Sequence, residues 1–189
     1  MVLADSPYPR PGSEPAEIRR YFRGSSSAAR LSVAGQLISA ASLARFAASV
    51  ARPAARSGRS SRGLQAAALA GGGLAAASLA TSALLSAALT SRAGEQELTA
   101  ALHRWGFIVG GPIHGAGFGV LVGSLGLAGV RTGELPQPLA LAGLASAAAG
   151  LLSLLCFVWE PAAWFIPAAR FSGLLVSGIA GIRLGRRSG

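Results

Sequence analysis

Five long apolar stretches dominate the chain and leave few folds open to it. They run from Leu31 to Ala51, Leu64 to Thr90, Trp105 to Val130, Leu139 to Trp159 and Ala162 to Leu184. Each is near or above the roughly 20 residues that an α-helix needs to cross about 30 Å of hydrocarbon. A strand in lipid would have to belong to a closed barrel, and these runs show no two-residue alternation. The expected fold is therefore all-α, a transmembrane helix bundle of about five spans over residues 31–185. The second span is Ala-rich and only mildly hydrophobic, which suits a place inside the bundle. Composition agrees that lipid is the solvent: 13% of residues are charged and the mean hydropathy is +0.50, against about 25% charged in a soluble domain.

Loop charges orient such a bundle. Arg52, Arg56, Arg59 and Arg62 lie between the first two spans, Arg131 between the third and fourth, and Arg183, Arg186 and Arg187 after the fifth. The opposite loops hold Arg92, Glu95, Glu97 and Glu160, and Trp105, Trp159 and Trp164 mark the same side. Arginine-rich loops stay in the cytoplasm and indoles settle at interfaces. Both signals place the C-terminus and the basic tail (186–189) in the cytoplasm of a bacterial cell, with the chain in its inner membrane. Arg45, inside the first span, is about 10 Å from Arg52 along a helix and can snorkel to that surface. All 17 basic residues are arginine, and the net charge is +10. Because these arginines fall mainly between apolar stretches, they read as topology signals and not as a nucleic-acid surface.

The N-terminal segment (1–30) reads as extracytoplasmic. Its first eleven residues include three prolines and form an extended lead. Ser13-Glu14-Pro15-Ala16-Glu17 then has the makings of a helix start, with a Ser cap, early acids and a Pro in the first turn. Ile18, Tyr21 and Phe22 share one face of the amphipathic helix that follows, beside Arg19, Arg20 and Arg23. It suits either the membrane surface or a docking position on the protein. No secretory signal is visible in this segment. Exporting its arginines (Arg10, Arg19, Arg20, Arg23, Arg30) without a preceding membrane helix is awkward, so a missing upstream helix is expected.

The third span carries the most specific packing pattern. Gly111, Gly115, Gly119 and Gly123 recur every four residues, and Gly173, Ser177, Gly181 and Gly185 form a similar row on the fifth. Such rows let helix backbones approach closely, within one chain or across a homo- or hetero-oligomer. Pro112 is expected to kink the third span and free a backbone carbonyl. Gly71-Gly72-Gly73 lies within an apolar span and lacks the lysine of a phosphate loop, so helix packing explains it.

Intramembrane ionisable groups are costly and point to function by default. His114, about 13 Å along the helix from Trp105, and Arg170, about 12 Å past Ala162, fall at comparable depth. Gln36, Ser39, Ser78, Thr81 and Ser82 can reach a similar level, with Glu160 at the rim. Together they outline a possible polar pocket opening outward, for an anionic or polar ligand or a proton-linked step. The bland alternative pairs Arg170 with Glu160 and satisfies His114 on a neighbouring helix. His103 and His114, eleven residues apart, lie about 16 Å apart on nearly one helix face, so holding a haem would need a dimer or another axial ligand. The single cysteine, Cys156, reads as a small buried hydrophobe. No nucleophile elbow, zinc-protease, dithiol or phosphate-loop motif is present. No catalytic residue, metal or cofactor is assigned.

Tyr8-Pro9-Arg10-Pro11, then Ile18-Arg19-Arg20-Tyr21-Phe22, then Gln36-Leu37-Ile38-Ser39-Ala40 and a segment containing Phe46 carry a family resemblance. Over Tyr8 to Arg187 the chain resembles multi-pass integral membrane proteins of unknown function from high-GC bacteria of actinobacterial type. The resemblance implies an outer loop preceded by a further membrane helix, and brings no activity with it. The first functional expectation is a structural or interaction module of the membrane. A small transporter or polar-ligand-binding protein is the alternative, and a membrane-bound enzyme or redox carrier comes third.

Overall fold

The structure is a computed structural model that describes residues 8–10, 12–24, 26–54, 61–91 and 96–186. Helix dominates these residues and no strand occurs among them. Helices α1 (Pro15–Gly24), α2 (Ser26–Ala54), α3 (Ser61–Ser91) and α4 (Gln96–Ile108) are followed by a π-helical turn, Val109–Ile113. Then come α5 (His114–Thr132), α6 (Gln137–Leu152), two 3₁₀ turns (Ser153–Phe157 and Glu160–Trp164) and α7 (Phe165–Arg186). Five segments are long and apolar enough to cross a membrane: Ser26–Ala51, Arg62–Ser91, Gln96–Thr132, Gln137–Phe157 and Glu160–Arg183. The protein is a transmembrane helix bundle.

The third of these begins nine residues before the apolar run that marks it in the sequence. Gln96 to Arg104 is too polar to signal a span, yet the helix continues through it because its inner face is covered. Thr99 and His103 are buried there, and α1 packs alongside. At 37 residues the segment is about 55 Å long, well beyond the hydrocarbon thickness. The segment is therefore longer than a membrane crossing requires, and Trp105 is exposed where its apolar run begins.

The amphipathic helix α1 docks on the protein. Ile18 and Phe22 are almost fully buried, against Ala29, Leu89, Tyr21 and Leu102. Its start differs from the expected cap. The Ser13 hydroxyl accepts from the Arg10 backbone N–H at 3.2 Å, and the first helical bond runs from the Ile18 N–H to the Glu14 carbonyl.

Helix α5 is the central element, packed between α3 and α6. Its neighbours come so close that side chains are excluded. A Cβ on Gly117 would lie 2.9 Å from both the Ala75 nitrogen and the Gly71 oxygen of α3. One on Gly126 would lie 2.6 Å from the Ala140 oxygen of α6, and one on Gly150 would lie 2.5 Å from the Gly115 oxygen. Leu121, Val122, Phe118 and Val176 fill the remaining core. Dispersion at such backbone-to-backbone contacts drives association where lipid supplies no hydrophobic force. Helix α5 ends at Gly133, whose φ of +68° allows its N–H to reach the Gly129 carbonyl.

Candidate functional site: a cavity between α2 and α7

Pro112 organises the site. It lacks an N–H, so α-helical bonding fails around it, and the backbone widens into the π turn. Within that turn the His114 N–H bonds the carbonyls of Val109 and Gly111. It thereby bypasses Gly110, the partner that α-helical register would give it. The freed Gly110 carbonyl accepts from the Arg170 guanidinium, reaching over from α7. One turn earlier, the Gly106 carbonyl accepts from the Ser82 hydroxyl of α3 at 3.0 Å.

His114 opens α5 and is buried. Its Nδ1 lies 2.9 Å from the Ala75 carbonyl of α3. A carbonyl can only accept, so Nδ1 carries a proton. The ring stacks on Phe118, with centroids 5.9 Å apart and planes at 15°.

A cavity of about 740 Å³ borders these groups. Helix α2 forms one wall through Ser32, Gln36, Ser39, Ser42 and Phe46, and α7 the other through Ile166, Arg170, Leu174 and Ser177. Gly106, Gly110, Gly111, His114 and Phe118 form the floor, with Leu79 and Ser82 of α3 beside them. Tyr8 reaches the same cavity from the N-terminal segment. Its ring stacks on His103, with centroids 5.6 Å apart, and meets Tyr21 edge-on at 5.3 Å. Desolvation, then the neighbouring Tyr21, push the Tyr8 hydroxyl up to about 12. Although the residue as a whole is half exposed, the phenol stays neutral across the physiological range.

The cavity gathers unsatisfied polar atoms. Among the described residues, the buried side-chain nitrogens and oxygens without a hydrogen-bond partner are Gln36 Oε1, Arg170 Nε, Ser177 Oγ and His103 Nε2. The first three belong to cavity-lining residues, and His103 lies under Tyr8. Elsewhere buried hydroxyls are spent: Ser146 donates to the Ala169 carbonyl at 3.0 Å and Ser153 to Gly150 at 2.7 Å. Buried polar atoms are normally paired, so their concentration around one space is informative.

The structure therefore brings Gln36, His114 and Arg170 to one cavity, with Ser39 and Ser82. Thr81 and Glu160 are not at it. Thr81 is exposed, because Ser82 takes the inward position on α3. Glu160 is exposed on the second 3₁₀ turn, and no ion pair joins it to Arg170, whose partner is the Gly110 carbonyl. In the glycine rows, a Cβ on Gly119 or Gly123 would meet Ala147 of α6, and one on Gly115 would meet Ser153. Gly111 faces Ile166 and Gly173 faces Phe118, whereas Gly181 is exposed and meets nothing. Sequence reasoning did not bring Tyr8, Ser32, Ser42 or Ser177 to the cavity, and it gave Ser177 to a helix-packing row. The spacing of Ser32, Gln36, Ser39 and Ser42, which holds one helix face, could have revealed the α2 wall. Nothing local marks Tyr8.

Cys156 is a free, partly buried thiol. Among the described residues no cluster of three metal-ligating side chains occurs. Comparisons with protein-family models, with curated proteins and with solved structures returned no match.

Proposed function

We propose that this is a membrane protein that binds a polar ligand in the α2–α7 cavity, as a small carrier or receptor. The observation that carries the reading is the coincidence of one large cavity with three unpartnered buried polar atoms, Gln36 Oε1, Arg170 Nε and Ser177 Oγ. Leaving such groups unsatisfied costs roughly 1–3 kcal/mol each, more for a charge. A scaffold gains nothing from that arrangement, whereas a bound ligand recovers it. The glycine row on α5 favours the same reading, because α6 already occupies it and it is not free to serve a second chain. We further propose that the Trp-rich end faces outward and the Arg-rich end lies in the cytoplasm of the inner membrane, following the charge asymmetry of the loops. Arg170, roughly six residues or about 9 Å below Trp164, then sits within the outer leaflet.

Native mass spectrometry of protein extracted in mild detergent tests the binding reading. Gly35 lines the cavity, and a Cβ there meets no atom within 4 Å, so Gly35→Trp fills the space without striking the core. The wild-type protein is expected to retain a bound small molecule that Gly35→Trp lacks. Adduct-free spectra from both, with equal thermal stability in membrane extract, count against the proposal. A reporter fused to the C-terminus that is active only outside the cytoplasm reverses the orientation.

A further inference from the structure

We infer that the ligand is an anionic amphiphile, with a phosphate or carboxylate head at Arg170, that enters sideways from the bilayer between α2 and α7. This rests on the binding reading above and adds the chemical class and the route.

Charge decides the head. Among the described residues, Arg170 is the one charged side chain lining the cavity, and no Asp or Glu joins it there. Its bond to Gly110 engages a dipole, which leaves the positive charge uncompensated. A guanidinium at membrane depth normally pairs with a carboxylate, a water-filled space or an anion. Its Nε–H is buried and vacant, and Arg presents its N–H groups as a planar fork matched to phosphate and carboxylate oxygens. The Ser177 hydroxyl, also unpartnered, can rotate to donate to an anion. Gln36 spends its Nε2 on Ser32 at 3.4 Å, and its Oε1 is buried without a partner, an acceptor that a small side-chain rotation would offer to a hydroxyl of the head.

Shape decides the rest. Helix α2 packs on α3, and α7 packs on α5 and α6, but among the described residues α2 and α7 are not a closely packed pair. The cavity is therefore bounded by protein on the floor and open at its side, where the two helices stand apart. Ile38, Leu43, Phe46 and Leu174 line it as apolar wall. The α2 wall runs about 21 Å from Ser32 to Phe46, with the polar Ser32, Gln36, Ser39 and Ser42 beside the apolar Ile38, Leu43 and Phe46, so a polar head and an apolar chain each find a matching surface. Tyr8, above, closes the polar end with a neutral hydroxyl.

The purified protein in detergent is titrated separately with phosphatidylglycerol, phosphatidylcholine and inorganic phosphate. Bound mass and melting temperature are read together. Phosphatidylglycerol is expected to bind at a single site and raise the melting temperature, with phosphatidylcholine at least tenfold weaker and inorganic phosphate without effect. Arg170→Gln should weaken phosphatidylglycerol roughly tenfold to hundredfold, the loss of charge-assisted hydrogen bonds. Where Arg170→Gln fails to fold, Gly35→Trp, which leaves Arg170 intact, should still abolish the phosphatidylglycerol shift. Equal binding of both lipids overturns the anionic head and leaves the cavity reading standing. Binding of inorganic phosphate with the same dependence on Arg170 overturns the amphiphile. No binding of any probe, with Gly35→Trp indistinguishable from wild type, overturns both.

Discussion

The two flanks of this bundle solve the problem of packing in lipid in opposite ways. Where α5 meets α3 and α6, glycines bring backbones into contact, and the buried Ser124 hydroxyl of α5 finds the Val120 carbonyl. Where α2 and α7 face each other, the described residues pack only loosely, and unpartnered polar atoms collect around the gap. The closed flank has no room for a methyl group, and the open flank has room for a molecule. The contrast separates residues that hold the fold from residues available to a ligand, although both sets are small or polar and look alike in the sequence.

Substitutions break or sharpen this contrast. The largest effect is expected from Gly150→Leu, which drives a side chain into the Gly115 carbonyl on the closed flank. It should cost at least ~3 kcal/mol, measured by thermal unfolding in detergent, whereas Gly35→Leu on the open flank should change stability by less than ~0.5 kcal/mol. Equal losses at the two positions would erase the distinction. Ser82→Ala comes next. It removes the hydroxyl that holds the Gly106 carbonyl and should cost about 1 kcal/mol. The smallest effect, and one of opposite sign, belongs to Ser177→Ala. Deleting an unpartnered hydroxyl should leave the ligand-free protein unchanged or more stable by up to ~1 kcal/mol. A clear destabilisation would mean that the hydroxyl already has a partner.

Much of the fold is legible in the sequence because lipid imposes it. The five apolar segments, their helical nature and the close packing of Gly115 and Gly119 follow from hydropathy and four-residue spacing. The polar start of α4 was not legible. Gln96 to Arg104 has no hydropathic signal, and its helix depends on burial of Thr99 and His103 beneath a distant segment. At the site, depth along each helix brought Gln36, His114 and Arg170 to a common level, since rise per residue is fixed. Rotation about each axis was not fixed by depth. Thr81 and Ser82 are at nearly the same height, and only packing against Gly106 shows which one turns inward. The Arg170–Glu160 pair failed for a related reason. Pro112 makes a nearer partner for Arg170 by releasing the Gly110 carbonyl, a consequence of backbone register that residue charge does not reveal.

Everything proposed for the site depends on the separation of α2 and α7 in the membrane. Cysteines introduced together by Ser39→Cys and Leu174→Cys, which lie at nearly one depth on facing walls, in a Cys156→Ala background, report it in native vesicles. We expect no disulfide under mild oxidation, and bridging only with long bifunctional reagents. Rapid, quantitative disulfide formation would mean that the helices close on one another and that no ligand space exists between them.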